Sequence, residues 1–320
     1  MTNPVELVDL HPFEYEHPFD ATALDLLQNT AGLDLLVRQF NKHAVERVAR
    51  IQYTGSGIRV TRKAYPWLHR VLEQACHTLS LEKVPQLYLA EADGIQGSTI
   101  GVEDPIIVLS SAAIERLEEP ELLYLMGHEI GHIKSEHVLY RQISNFLPYV
   151  SNVIGRATLG IGQLFSAPIE LALLRWSRMS ELTADRVGLL CCQDMEPVTK
   201  ALMKVSGLPP KHYDRLESEA FVEQAKEFVS FDSDFWDKSV KFLALMRSTH
   251  PFSVLRAAEL MKWIDSGEYA NVVARKTRDR LYKRNTGSFV ECRQCKCRLE
   301  GEERFCPNCG TRLVAPDLSA

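Results

Sequence analysis

The sequence predicts an α+β chain, mostly helical, in which a large domain with a small mixed sheet precedes a C-terminal module too short for a core of its own. Three observations carry this. Apolar residues recur at helical spacing along most of the 320 residues. Strand character is confined to short stretches, Gln86-Leu87-Tyr88-Leu89-Ala90 and the apolar run Pro105 to Leu109. Near the end, Cys292-x-x-Cys295 and Cys306-x-x-Cys309 form two knuckles.

With 45% hydrophobic and 25% charged residues the chain can bury a sizeable core, which excludes a disordered protein. A net charge of −5 provides no global field for nucleic acid. Met1 to Asp20 has neither a basic n-region nor an apolar h-region, so a cytoplasmic location is expected. The eight cysteines then read as thiols or metal ligands rather than disulfides.

Taken in order, residues 1–58 read as an arm and a helical hairpin packed on the main domain. The arm carries the echo His11-Pro12-Phe13 and His17-Pro18-Phe19, with Phe13 and Phe19 as its expected anchors. Residues 21–51 have helical periodicity, and 59–79 read as another helix through Val60, Tyr65, Leu68, Val71 and Leu72. Between the strands, Gly94 to Gly101 is polar and glycine-rich: an edge strand or a plain loop.

A helix follows from Pro120, with Glu118, Glu119 and Glu121 at its positive end and Leu122, Leu123, Met126, Ile130 and Ile133 as an apolar face. Within it lies Gly127-His128-Glu129-Ile130-Gly131-His132. Four residues apart on a helix, His128 and His132 share a face and can hold one metal ion. Glu129, about 100° round the helix, falls where a general base beside a metal-activated water is needed. Gly127 and Gly131 cost helix propensity, which predicts a neighbouring backbone packed close to the site.

Residues 142–174 are uncharged except at Arg156 and Glu170 and are interrupted by Pro148, Gly155, Gly160 and Gly162. Neither uncharged run is long enough to span comfortably, so a helical hairpin buried in the fold or lying on a membrane surface is expected. In the helix after Pro168, Arg178, Glu181 and Asp185 line one face. That face is either a solvated ladder of charges or the side turned toward the metal helix.

These motifs, with Ser177-Arg178-Met179-Ser180-Glu181-Leu182-Thr183-Ala184-Asp185-Arg186 and then Ser248-Thr249-His250-Pro251 and Arg256, resemble the HtpX / CAAX-prenyl-protease family of gluzincin zinc metallopeptidases over roughly residues 60–265. The resemblance implies that Glu181 is the third zinc ligand beside His128 and His132, that Glu129 is the base, and that Asp185 and Arg178 stand behind the ligands. It leaves His250 with three readings: oxyanion donor, latency switch in the fourth zinc position, or structural histidine. Where many relatives carry an Asn-Ala-Phe-type edge strand this chain has Gln96-Gly97-Ser98, its candidate substrate-binding segment. The missing spanning helices point to a soluble or peripheral relative.

Residues 205–247 read as a solvated acidic helical face, and the catalytic domain closes at about residue 270. A basic linker, 271–289, leads to a module at 290–315 that resembles a zinc ribbon, with Cys292, Cys295, Cys306 and Cys309 as ligands of a second, structural zinc. Cys297 is an extra thiol; Cys76, Cys191 and Cys192 read as core thiols. Only Tyr282 and Phe289 accompany the basic linker, so a protein partner is expected for the ribbon rather than nucleic acid.

The reading is a zinc-dependent endopeptidase acting on protein or peptide substrates, with protein quality control as the role the resemblance implies. The alternative is a latent or non-catalytic chaperone or scaffold that holds clients through the ribbon and edge strand.

Overall fold

The computed structural model describes residues 4–18, 20, 46–138, 167–215, 217–230, 252–276, 290–291 and 298–299. Its elements are α1 (Glu46–Ser56), β1 (Ile58–Val60), α2 (Pro66–Thr78), β2 (Gln86–Ala90), β3 (Gly97–Ile100), β4 (Ile106–Ser110), α3 (Ser111–Arg116), α4 (Glu119–Lys134), α5 (Ala167–Cys192), α6 (Met195–Val205), α7 (Ser218–Ser230), α8 (Ser253–Asp265) and α9 (Glu268–Val273), then the strands β5 (Val290–Glu291) and β6 (Arg298–Leu299). The mostly helical α+β class with a small mixed sheet is therefore observed.

The sheet runs β1-β2-β4-β3. β1 is antiparallel to β2, β2 is parallel to β4, and β3 is antiparallel to β4 with Thr99 opposite Ile107. Period-2 alternation divides its side chains. Leu87, Leu89, Ile107 and Leu109 enter the main core with α2, α4 and α5, while Tyr88, Ile106 and Val108 meet Ala49, Tyr53 and Ile100 on the opposite face. Gly94 to Gly101 thus resolves into an outer strand, β3, rather than a plain loop.

The expected helix over 59–79 is corrected. Val60 is a strand residue paired with Leu87, and the helix begins only at Pro66. Proline has its φ pre-set for a first helical position and has no N–H to lose there, so helical periodicity upstream of it was coincidental. The arm is corrected too. Its buried anchors are Leu7, Leu10 and Tyr15, whereas Phe13 is half-buried and stacks on His11 with ring centroids 4.6 Å apart. The arm is also held by polar contacts: the Leu7 amide donates to the Thr78 carbonyl at 2.8 Å, and Arg275 donates to the Glu14 carboxylate at 2.9 Å and to the Val8 carbonyl.

α4 begins as expected, the Glu118 amide donating to the Glu121 carboxylate at 2.8 Å. Its two glycines admit α5. A Cβ on Gly127 would lie 2.3 Å from the Cys191 Cβ, and one on Gly131 would lie 3.1 Å from the Ala184 Cα. That approach turns the 178–185 face of α5 inward, and Arg178, Glu181 and Asp185 are all buried. Glu219, Glu223 and Glu227 on α7 are exposed, and Phe221 and Ala225 bury its other face. Cys76, Cys191 and Cys192 are buried free thiols whose pKa values burial raises, Cys76 and Cys192 to about 12.

β5 and β6 pair antiparallel, Val290 opposite Leu299. The ribbon cysteines Cys292, Cys295, Cys297, Cys306 and Cys309 lie outside the described residues, as do Phe19, His250, residues 21–45, residues 142–166, the acidic Asp232, Asp234 and Asp237, and most of the basic linker. Among the described residues no helix is long and apolar enough to cross a membrane.

Candidate metal centre

His128 and His132 project from the C-terminal half of α4, His132 from its last turn, and Glu181 from α5. Their Nε2 atoms are 3.3 Å apart, and each lies 3.5 Å from an oxygen of the Glu181 carboxylate. All three side chains are buried, and they form a group able to hold a metal ion. A tetrahedral ion with bonds of about 2.0–2.1 Å has ligand-to-ligand edges of roughly 3.3–3.4 Å. The donor set therefore fits zinc in both chemistry and spacing. Two imidazole lone pairs and a carboxylate aimed at one buried point repel one another unless a cation joins them.

Behind His128 stands a buried network. Its Nδ1–H donates to Asp185 Oδ1 at 2.9 Å, and the same oxygen accepts from the Tyr124 hydroxyl at 2.7 Å. Arg256, from α8, donates through Nε to Asp185 Oδ2 at 2.7 Å and through its terminal nitrogen to Oδ1. Burial alone would raise the Asp185 pKa, but the Arg256 charge and the hydrogen bonds from Arg256 and His128 hold it below the ordinary value. A carboxylate on Nδ1–H leaves the Nε2 lone pair facing the metal position. Arg178 is buried three residues before Glu181, and Arg256 reaches Asp185.

Glu129 points the other way, toward the sheet. The Thr99 hydroxyl donates to its Oε2 at 2.8 Å, and a Cβ at Gly97 would sit 2.6 Å from its Oε1. Gly97 and Thr99 are two apart on β3 and so share the face turned to α4. Ser98 falls on the opposite face, that of Ile100, and Gln96 precedes the strand, its amide and carbonyl both bonded to Ser110. Gly97→Ala is expected to lower turnover about tenfold or more by displacing the Glu129 carboxylate, because misplacing a reacting group by about 1 Å costs on the order of a hundredfold. Zinc content should stay at the parent level. Parent-like kinetics in Gly97→Ala would remove this role for the glycine.

Thr99, Tyr124 and Arg256 are contacts that spacing did not reveal. For Thr99 a signal existed, since it alternates with Gly97 and so faces whatever Gly97 faces.

Protonation and metal compete at His128. In the metal-free chain burial disfavours its charge, yet hydrogen bonds to Asp185 and Glu181 prevail and raise its pKa to about 9, against an ordinary 6.5. A raised folded pKa stabilises fully below the unfolded value and the benefit is lost as pH climbs through the folded one. Chelated protein should accordingly lose stability between about pH 6.5 and 9, and zinc should bind more tightly over the same interval. Urea denaturation with and without chelator tests this; a flat profile in the chelated sample would contradict it.

Comparison with known proteins agrees with the geometry. Residues 62–264 match the model for peptidase family M48. The chain is 31% identical over 278 residues to the plastoglobule-localized metallopeptidase 48, chloroplastic, of Arabidopsis thaliana, covering 86% of this chain and 79% of that protein. It is 27% identical over 161 residues to a protease HtpX homolog of Helicobacter pylori, covering 43% of this chain and 52% of that protein. It is 23% identical over 233 residues to protease HtpX homolog 2 of Methanosarcina mazei, covering 65% and 76%. The chain thus spans about half the length of the Helicobacter relative. A buried His-His-Glu donor set, with a carboxylate held beside it on a helix of the matched region, accords with that family model: the chain belongs to peptidase family M48 and is a metallopeptidase.

Proposed function

We propose that this metallopeptidase is a zinc-dependent endopeptidase that cuts extended segments of protein substrates, in the service of protein quality control. The observation that carries the reading is the position of Glu129, which follows His128 directly on α4 and whose carboxylate accepts from the Thr99 hydroxyl of the outer strand β3. His128, His132 and Glu181 would hold the zinc, and Asp185 would keep His128 in the ligating tautomer. Zinc, when bound, supplies a Lewis acid that acidifies water and polarises a carbonyl. Glu129 takes the proton of the attacking water and returns it to the departing amine. β3 has β4 on one side and lies at the sheet's end, so its outer edge can pair with an extended peptide at Gln96-Gly97-Ser98. Such a register admits unfolded chain and rejects folded domains. His250 is proposed as the donor to the developing oxyanion.

The knuckles Cys292-Cys295 and Cys306-Cys309 are proposed to hold a second zinc in a ribbon that engages a protein partner. We place the enzyme in the cytoplasm, with peripheral membrane contact through residues 142–174; the scarcity of charge in that stretch, Arg156 and Glu170 alone, and the plastoglobule named for the Arabidopsis relative support such contact.

The test is cleavage of casein and of a folded protein beside its unfolded form. Internal cuts in casein and the unfolded form alone are expected; trimming only from chain ends would refute an endopeptidase. Metal analysis should find two zinc ions per chain, one lost in Glu181→Ala and the other in Cys306→Ser. A wild-type stoichiometry of one would sink the two-site reading.

A further inference from the structure

The two histidines of α4 are backed differently. His128 rests directly on a carboxylate of α5, whereas His132 rests on another histidine. His132 Nδ1 lies 3.0 Å from Nδ1 of His137, and His137 Nε2 lies 2.8 Å from Asp20 Oδ2, a residue of the N-terminal arm. All three side chains are buried. The Thr183 hydroxyl of α5 donates to the same Asp20 oxygen at 2.6 Å and itself accepts from the His17 amide at 3.0 Å. The edge-on ring of Trp176, 5.7 Å away centroid to centroid, packs against His137.

We propose that Asp20 and His137 are positioning residues that fix the tautomer and ring plane of His132, making the N-terminal arm a working part of the metal centre. The proposal rests on His132 being a metal ligand.

The proton order follows from the acceptor at the end of the chain. A carboxylate only accepts, so His137 Nε2 carries the hydrogen and donates to Asp20. In a neutral ring Nδ1 of His137 is then the acceptor. Two Nδ1 atoms 3.0 Å apart repel unless one holds a hydrogen, so His132 Nδ1–H must be the donor. His132 Nε2 is left with its lone pair facing the Glu181 carboxylate and the Nε2 of His128. Asp20 thus dictates, through two imidazoles, the protonation pattern a ligand needs, as Asp185 does directly for His128.

A buried carboxylate needs this company as much as the ligand does, since an isolated one would be strongly disfavoured. Residue 137 must accept at one end and donate at the other, which imidazole and carboxamide side chains can do and hydrocarbon ones cannot. The matched family region begins at residue 62, so the anchoring end of the relay lies outside it. This assigns the arm a role beyond packing.

The experiment uses full-length His137→Phe, His137→Gln and Asp20→Ala, with Glu181→Ala to identify the zinc of this site. Phe keeps a ring against Trp176 without polar atoms; Gln restores an acceptor and a donor. Zinc affinity is read by chelator competition, ligand geometry by the visible spectrum of the cobalt-substituted protein, and fold by unfolding of the metal-free forms.

We expect 10- to 100-fold weaker zinc binding in His137→Phe and Asp20→Ala, a shifted cobalt spectrum in both, and recovery of most of the affinity in His137→Gln. Affinity within about twofold of the parent and an unshifted spectrum in Asp20→Ala and His137→Gln would overturn the proposal whatever His137→Phe does, leaving a buried pair that matters only for stability. If the parent binds no zinc that Glu181→Ala removes, the reading of the site itself fails, and the relay falls with it for that separate reason.

Discussion

Glu129→Gln is expected to lower casein cleavage by about two to four orders of magnitude while leaving zinc content and unfolding behaviour at parent levels. The substitution preserves size and retains an oxygen that can accept from Thr99, so the contact now made at 2.8 Å survives. What disappears is the ability to take a proton from water. An amide cannot do so, and no other carboxylate in the described network is directed to the same place: Glu181 faces the two Nε2 atoms and Asp185 faces Nδ1 of His128. Retained cleavage in Glu129→Gln would mean that another group is the base. Client binding that persists undiminished, with no cleavage in either form, would instead favour the holding activity of a chaperone.

Arg256→Leu should be the most destabilising single change behind the site, by about 3–5 kcal/mol in urea denaturation of the zinc-loaded protein. Asp185 is fully buried, and Arg256 makes contacts to both of its oxygens. Without the guanidinium, Asp185 must either stay charged in a low-dielectric interior or take up a proton, and a protonated acid is a poorer acceptor for His128. Zinc affinity should fall in the same variant. Combining it with Asp185→Asn provides the internal check: because the two groups act on one another, the double variant should lose less than the sum of the singles. Additive losses would show that Arg256 stabilises through packing alone.

The part of the site written in local spacing was legible. Two histidines four apart on a helix have one geometric outcome, and the close neighbour implied by Gly127 and Gly131 is α5. The inward turn of the 178–185 face was left open by periodicity, because charges at those positions fit a solvated ladder equally well; only the packing of α5 on α4 decides it. Three-dimensional partners were the least legible. Tyr124 and Asp185 are 61 residues apart, and Arg256 and Asp185 are 71 apart, separations at which spacing carries no information. The helix assigned from Val60 onward failed for a local reason, a three-residue strand ending at Val60 and followed by Pro66, too short to alternate visibly. The β3 edge was left open between strand and loop, since small polar residues between two apolar strands suit either; its pairing with β4 decides it.

The contacts of Arg256 and Arg275 also have a consequence for the order in which the molecule is made. Synthesis delivers both α4 and α5 before Arg256, so Asp185 waits for its counter-charge until α8 has left the ribosome. The clamp of Arg275 on Glu14 and on the Val8 carbonyl comes later still and joins residues 261 and 267 positions apart. A nascent chain can therefore bring its histidines together without having completed their surroundings, and the newborn polypeptide passes most of its elongation with the cleavage apparatus unfinished.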